Sequence, residues 1–249
     1  MSSLPVPRTP PPSRPLPKVR PVACAIMLAD REVFIPASAH TLDGFRAWAK
    51  SDDFPEHGRF SFIDQEIVVD MSPEELEKHG KVKGEIGYGV IHLNKKLKLG
   101  EYYPDRTLVT NVAAGLSTEP DGTFVTWASF DTGRIQLIPR EGEEGEYIEL
   151  EGTPDWVMEI VSKSSVQKDT KRLREQYFRA GIPEYWLIDA RGPEIDFQIL
   201  VRGDTDYVAS PGRGGWQKSP LFQRRFRLVR RRNQANRWEY LLQVKSLRG

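Results

Sequence analysis

Cysteine is nearly absent from this chain, and long hydrophobic runs are absent altogether. The 249 residues contain one cysteine, Cys24, which excludes an internal disulfide and a cysteine-rich zinc site and is typical of a reducing compartment. No apolar stretch is long enough for a transmembrane helix, and the first residues lack the continuous apolar core of a secretory signal. We therefore expect a cytoplasmic protein with no membrane partner.

The chain also lacks an excess of charge of either sign. It has 36 Lys and Arg residues against 35 Asp and Glu residues, so its formal net charge is +1. A total this close to zero gives no general reason to expect nucleic-acid binding, which must therefore depend on local patches. Hydrophobic residues make up 39% and charged residues 29%, the balance of a globular protein.

Composition divides the chain into a tail and one domain. Residues 1–22 are dense in proline and serine and carry basic residues but no acid, which predicts a disordered tail. Residues 23–249 predict a single globular domain, with a core at about residues 72–190 and a β-strand extension at about residues 194–246.

Several local patterns predict helices and a hairpin. Thr41–Lys50 places apolar residues at helical spacing, and two β-rich stretches joined at Asp64 and Gln65 predict a hairpin. Ser72, followed by Pro73 and two glutamates, has the pattern of a capping box that opens a helix ending near Leu99.

The rest of the pattern predicts a mixed sheet. Strands are expected at residues 107–113, 122–130, 155–162 and 184–189, with a helix at 168–180 and further strands beyond residue 194. The stretch DWVMEIVS is apolar apart from its acids, as a central strand buried on both faces would be. The order of elements predicts an α/β or α+β fold with a mixed central sheet flanked by helices.

Two carboxylates carry the main chemical signal. Glu159 lies in the middle of an apolar strand, where an ionised side chain is costly unless a partner compensates its charge. Asp121 begins another predicted strand. Magnesium binds hard oxygen ligands, so two neighbouring strands could bring both carboxylates to one ion and support phosphodiester hydrolysis.

The motifs around these acids resemble a known group of nucleases. The segments FIDQEIVVDMSPEELEKH, EPDGTFV, DWVMEIVSKSS and DTKRLREQYFRAGIPEYWLID follow the helix–strands–helix–strand order of the PD-(D/E)XK superfamily. Within that superfamily they are most similar to the bacterial Uma-type restriction endonuclease family. The resemblance implies a restriction-endonuclease-like fold and an endonuclease that uses magnesium or manganese to hydrolyse DNA.

The resemblance also assigns the metal ligands. Of three Pro-Asp pairs, the one ending in Asp155 lies too close to Glu159 to come from a separate strand. We prefer Asp121 and keep Asp105 in reserve. The carbonyl of Ile160 is a further candidate ligand.

The sequence departs from the superfamily pattern at the lysine, because the Glu-x-Lys position is Val161. Lys171 is our candidate for orienting or activating the attacking water, with Lys163 and Lys168 as competitors. On the first helix, the resemblance favours His79 over Glu85 as an additional catalytic residue.

Basic residues are concentrated late in the chain. Arg224, Arg225, Arg227 and Arg230 belong to an acid-free stretch that could follow a DNA backbone, or could lie on a solvated strand face. The displaced lysine leaves open a catalytically impaired protein that only binds nucleic acid. Nucleases of this type often pair to cut both strands, so a homodimer is also open.

Overall fold

The computed structural model describes residues 22–28, 31–140, 143 and 145–247. The predicted tail lies outside these residues except for Val22. The chain separates into two compact units, with the boundary between Ala37 and Ser38, whereas the sequence suggested one domain from residue 23. The first unit contains an antiparallel hairpin of β1 (Val22–Leu28) and β2 (Arg31–Pro36).

The second unit contains the remaining helices and strands. Its α-helices are α1 (Leu42–Ala49), α2 (Lys81–Leu97), α3 (Trp127–Asp131) and α4 (Leu173–Arg179); π-helical turns at Leu76–Gly80 and Lys168–Arg172 precede α2 and α4, and a 3₁₀ turn at Ala37–His40 precedes α1. Its strands are β3 (Arg59–Ile63), β4 (Glu66–Asp70), β5 (Gly100–Pro104), β6 (Leu108–Asn111), β7 (Leu116–Thr118), β8 (Gly122–Thr126), β9 (Ile135–Pro139), β10 (Tyr147–Gly152), β11 (Trp156–Ile160), β12 (Glu184–Asp189), β13 (Asp196–Arg202), β14 (Tyr207–Ala209), β15 (Gly212–Arg213), β16 (Trp216–Ser219), β17 (Arg224–Arg232) and β18 (Trp238–Ser246).

Three sheets organise this unit. The central sheet has the order β14-β13-β12-β11-β8-β5, in which only β11 and β12 run parallel. A second sheet has the order β4-β3-β7-β6-β10-β9, and the C-terminal sheet has the order β15-β16-β17-β18. The predicted mixed sheet is therefore confirmed, and the hairpin at Asp64 and Gln65 is the β3–β4 pair.

The core lies on both faces of the central sheet. Strand β11 is buried along its whole length, as predicted for an apolar central strand. One face packs against α2 through Val82 and Ile86, together with the inner face of the C-terminal sheet. The other face packs against α4 through Leu173 and Tyr177.

The helix predicted from Ser72 begins later than its capping pattern indicated. The first helical turn starts at Leu76, and the carboxylate of Glu75 accepts hydrogen bonds from the backbone N–H groups of Glu77 and Lys78. The Ser72 hydroxyl instead donates to Asp70. The capping prediction was wrong because a neighbouring carboxylate takes the serine and a glutamate caps the helix.

The strand predicted at residues 122–130 is also only half correct. Strand β8 ends at Thr126, whose hydroxyl accepts a hydrogen bond from the N–H of Ser129 and starts α3. A threonine at this position serves as an N-cap, which the β-branched and aromatic composition of the segment concealed. Within the described residues, no helix is both long and apolar enough to cross a membrane.

Three glycines of α2 differ in what surrounds them. A Cβ atom at Gly87 would lie 2.9 Å from the Tyr102 hydroxyl, and one at Gly89 would lie 2.8 Å from Leu242. A Cβ atom at Gly84 would meet nothing within 4 Å. The first two glycines therefore permit close packing of the helix, whereas Gly84 has no packing role.

Replacing Gly84 with alanine should stabilise the protein by up to about 1 kcal/mol, because alanine has the higher helix propensity. The same replacement at Gly89 should be less favourable, since the new methyl group must displace Leu242. Urea unfolding of both variants measures the difference. Equal stabilisation by the two substitutions would contradict this account of the helix packing.

A buried carboxylate joins the central sheet to the C-terminal sheet. Glu184, at the start of β12, accepts hydrogen bonds of 2.7 Å from the Trp186 indole and 3.1 Å from the Leu221 N–H. Burial raises the pKa of Glu184 from its ordinary 4.5 to about 7, although the side chain of Ser219 and the two other donors oppose the shift. The folded state therefore binds an extra proton between these two pH values.

Folding stability should fall as pH rises from about 4.5 to about 7, by up to about 3 kcal/mol, because the unfolded state releases this proton first. Replacing Glu184 with glutamine should remove this part of the pH dependence. Urea unfolding between about pH 5 and about pH 8 measures it. Glu194→Gln, the same change at an exposed residue, is the matched control. An unchanged slope in the Glu184 variant would contradict the assignment.

Candidate active site

The two predicted carboxylates meet where β8 and β11 pair. Asp121 lies immediately before β8, and Glu159 lies within β11. The register pairs Met158 with Gly122, so one residue further along it places Glu159 opposite Asp121. Side chains directly opposite in an antiparallel pair share a face. The Asp121 carboxylate also accepts a hydrogen bond of 2.8 Å from the N–H of Ile160.

Two basic residues from the start of the α2 region lie against Asp121. His79 Nε2 is 3.3 Å from Asp121 Oδ2, and its Nδ1 is 3.4 Å from Glu74. Lys83 Nζ is 3.7 Å from Asp121 Oδ1 and 2.6 Å from both Glu74 and Asp105. The buried histidine therefore lies between two carboxylates. One of them is Asp121, so two of the predicted site residues are neighbours.

These contacts keep Asp121 ionised although it is buried. Burial by itself would raise the pKa of Asp121, but the hydrogen bond from His79 and the charges of His79 and Lys83 lower it. Burial by itself would lower the pKa of His79, and Asp121 and Glu74 raise it. Each group of the pair thus favours the charged form of the other.

Glu159 is held by the α4 region, whereas Asp121 contacts residues at the start of the α2 region. The Tyr177 hydroxyl donates a hydrogen bond of 2.5 Å to Glu159 Oε1. Lys168 Nζ lies 4.0 Å from Glu159 Oε2 and 3.3 Å from Asp169 Oδ1. The other oxygen of Asp169 accepts from the Ser165 hydroxyl.

Lys168 is the cation nearest to Glu159 and Asp169. Burial raises the pKa of Glu159 well above its ordinary value; Lys168 opposes this shift, while Asp169 and Asp121 add to it. Burial also raises the pKa of Asp169 to about 6. The charges of Glu159, Asp169 and Asp121 outweigh burial at Lys168 and raise its pKa. Its ammonium group therefore stays protonated at neutral pH.

The donor set at this site fits a divalent cation. On each carboxylate one oxygen is engaged by a hydrogen bond, whereas Asp121 Oδ1 and Glu159 Oε2 each face a lysine beyond hydrogen-bond distance. No three or more His, Cys, Asp or Glu side chains in the described part of the chain form a group that could hold a metal. Magnesium usually binds through one or two carboxylates, with water and substrate phosphates as its other ligands. Two carboxylate oxygens that accept no hydrogen bond among the described residues meet that requirement.

A cleft of about 640 Å³ opens beside His79. Its lining combines four cations with three carboxylates and several hydroxyl groups: Arg59, Lys78, Lys163 and Arg191, then Asp70, Glu74 and Glu75, then Ser72, Ser162 and Ser164. A cleft of this volume can admit part of a nucleic-acid strand next to the site.

The other predicted residues are placed less uniformly. Lys171 is exposed, three residues beyond the lysine that reaches the carboxylates, and Lys163 lines the cleft. Glu85 accepts a hydrogen bond from the N–H of Leu242 on β18, away from Asp121. Asp105 belongs to the ion-pair network with Lys83 at the edge of the site.

The arginines of the predicted patch lie on β17, and their side chains contact different parts of the protein. Arg230 donates three hydrogen bonds to the backbone carbonyls of Ala190, Gly192 and Pro193 and stacks on Trp238. Its side chain thus fixes a loop of the protein itself. Arg224 donates to the carbonyl of Gln223. Arg227 donates to the side chain of Gln243 and to the carbonyl of Gly214.

Sequence reasoning missed two contacts of the site. The Tyr177 hydroxyl donates to Glu159, and a tyrosine that faces a buried glutamate is visible only once the helix is packed on the sheet. Lys83 was not considered, although it lies one helical turn after His79 and so shares its helix face. That spacing was a usable signal.

Replacing Lys168 with glutamine should destabilise the protein by about 2 to 3 kcal/mol, since Glu159 and Asp169 would remain buried without their cation. Replacing the exposed Lys171 with glutamine should change stability by less than about 0.5 kcal/mol. Urea unfolding at neutral pH compares the two variants. Equal losses would show that Lys168 does not compensate the buried carboxylates.

Comparison with known proteins identifies the group to which this chain belongs. A crystal structure of a putative nuclease belonging to DUF820 from Anabaena variabilis ATCC 29413 matches with a TM-score of 0.53 and 21% identity, over 73% of this chain and 90% of that chain. This likeness shows the fold, and the predicted nuclease fold is confirmed. A search of curated proteins finds no match.

A family model described as Uma2, putative restriction endonuclease, matches residues 42–229. Because that match spans more than half of the chain, the protein belongs to the Uma2 family of putative restriction endonucleases, as its motifs predicted.

Proposed function

We propose that the protein is a magnesium- or manganese-dependent endonuclease that hydrolyses DNA phosphodiester bonds. The observation that carries the proposal is the pairing of Asp121 with Glu159 on adjacent strands, where one oxygen of each carboxylate remains without a hydrogen bond among the described residues and lies near a lysine, Lys83 or Lys168. Family membership supports a nuclease, and the metal and the DNA substrate are our inference from the site.

Asp121 and Glu159 would hold the metal ion, with the Ile160 carbonyl as a proposed third protein ligand. When bound, such an ion lowers the pKa of a coordinated water and neutralises charge on the phosphate. Neighbouring groups of the protein hold each carboxylate in position. Backbone N–H of Ile160 and His79 orient Asp121, and Tyr177 orients Glu159.

In place of the exposed Lys171, the proposal uses Lys168, which lies 4.0 Å from Glu159, and gives it an electrostatic role. Because its pKa is raised, Lys168 keeps its proton at neutral pH and is unsuited to accept one from water. Its positive charge can instead hold an anionic phosphate oxygen and stabilise the charge that develops during hydrolysis. We therefore assign Lys168 an electrostatic role, and another group must accept the proton from the attacking water.

His79 is a positioning residue with access to the cleft. It contacts Asp121 on one side and Glu74 on the other, and it lines the cavity. The cleft cations Arg59, Lys78 and Arg191 would contact the phosphates that flank the reacting group. A cytoplasmic location, where DNA is accessible, completes the proposal and agrees with the single cysteine.

Replacing Asp121 with asparagine or Glu159 with glutamine should lower the rate of DNA cleavage at least about 100-fold, because each change removes a charged metal ligand. Nicking of a supercoiled plasmid with added magnesium measures the rate. The same measurement on Asp196→Asn, an exposed acid on β13, controls for loss of a carboxylate elsewhere. Circular dichroism of each variant checks that the fold is retained.

Cleavage that continues at the normal rate in excess chelator would overturn the metal mechanism. A matched calorimetric titration with manganese should show binding to the unaltered protein and none to the Glu159 variant. This titration also tests the alternative function, a nuclease scaffold that only binds nucleic acid. That alternative is favoured by one observation, the buried Val161 at the position of the usual lysine, and it requires neither metal binding nor cleavage.

A further inference from the structure

The C-terminal sheet has two faces with opposite character. On its inner face, Phe226, Leu228 and Leu242 are buried in the core beside α2. Residues directly opposite in the antiparallel register share a face, and successive residues alternate. The odd-numbered residues of β17, beginning with Arg225, therefore lie on the outer face.

The register gathers cations from all four strands on that outer face. Lys218, Arg225 and Lys245 form one row across β16, β17 and β18. Arg213 lies opposite Trp216 on β15 and β16, and Arg231 lies opposite Glu239 on β17 and β18. Together with Arg227, the described outer face carries six cations and a single carboxylate.

This concentration of charge contrasts with the rest of the protein. The chain as a whole has a formal charge of +1, so the residues outside this face sum to a negative charge. Glu239 is already paired with Arg231 at 2.8 Å. Five cations thus lie on one sheet face without a carboxylate among the described residues of that face. A cation cluster of this kind repels itself unless an anionic partner compensates it.

An aromatic side chain lies at the centre of the cations. Arg227 stacks over the ring of Trp216 at 4.9 Å and Lys245 over the same ring at 4.1 Å. These contacts hold two long side chains against the sheet and reduce the entropy that they would lose on binding a ligand. Lys218 and Lys245 are exposed, so their ammonium groups are accessible.

We propose that this outer face binds the phosphodiester backbone of DNA, as a second contact surface separate from the carboxylate site. Regularly spaced cations on a sheet match a regularly spaced polyanion, and they carry no base-reading pattern. Binding here is therefore independent of DNA sequence. Its function, which rests on the proposed endonuclease activity, is to hold the substrate while the carboxylate site acts. The surface requires no metal and does not depend on catalysis.

The test compares two triple variants of the full chain, each losing three positive charges. The first replaces the central row, Lys218, Arg225 and Lys245, with glutamine. The control replaces three exposed cations on other elements, Lys95, Lys98 and Arg179, with glutamine. Fluorescence anisotropy with a labelled random-sequence DNA duplex, in chelator so that cleavage is blocked, measures affinity across a range of salt concentrations.

The first variant should bind at least about tenfold more weakly at moderate salt, and the slope of log affinity against log salt should become shallower by about 2 to 3. The control should keep nearly the original slope. An unchanged affinity and slope in the first variant would overturn the proposal. The proposal would also be overturned if the first variant kept its DNA binding but lost binding to anionic lipid vesicles, because the face would then bind a membrane surface.

A single change guards against a misfolded triple variant. Lys218→Glu alters one exposed side chain and should also weaken DNA binding, whereas no effect would count against the surface. Plasmid cleavage by the same variants separates this proposal from the catalytic one. If the carboxylate site is not hydrolytic, DNA binding by this face should remain, and if the face does not bind DNA, metal-dependent cleavage should still be measurable.

Discussion

The arrangement of the site depends on the pairing of β8 with β11. This pairing places Asp121 beside the N–H of Ile160 and opposite Glu159, although 38 positions separate the two acids. Two carboxylates buried opposite each other repel, and each loses its hydration, so the fold must compensate both costs. Residues of two separate helical regions provide this compensation. The α2 region supplies His79, and the turn before α4 supplies Lys168.

The compensating residues lie where the two flanking helices begin. Both helices that flank the central sheet are preceded by a π-helical turn, and His79 and Lys168 lie within those turns. A π-helical turn inserts an extra residue and rotates the side chains that follow, and such turns are frequent at functional sites. Regular helical periodicity therefore cannot predict which residue reaches the carboxylates. Lys171, which the resemblance favoured, shares the turn with Lys168 but is exposed.

The parts of the fold that could be predicted are those that single segments specify. The β3–β4 hairpin, α1 and the buried strand β11 follow from turn residues, helical spacing and an apolar run. The predictions that were wrong concern places where neighbouring side chains compete for the same hydrogen-bonding group. Asp70 takes the Ser72 hydroxyl, and Thr126 caps α3 in a segment composed for a strand. Neither outcome is visible in the local pattern alone.

The arginine stretch shows the same limit for charge. Read along the chain, Arg224 to Arg230 form one basic run, but a strand directs alternate side chains to opposite faces. Arg230 therefore fixes the loop at Ala190, whereas Arg225 joins lysines that are distant in sequence, Lys218 and Lys245. The cation cluster exists only through strand register, so neither net charge nor a local charge run could locate it. A chain with a formal charge of +1 can consequently present a strongly cationic sheet face on one side and a carboxylate site elsewhere. This segregation agrees with the proposed function, in which the carboxylate site binds a metal ion and the cationic face binds a polyanion.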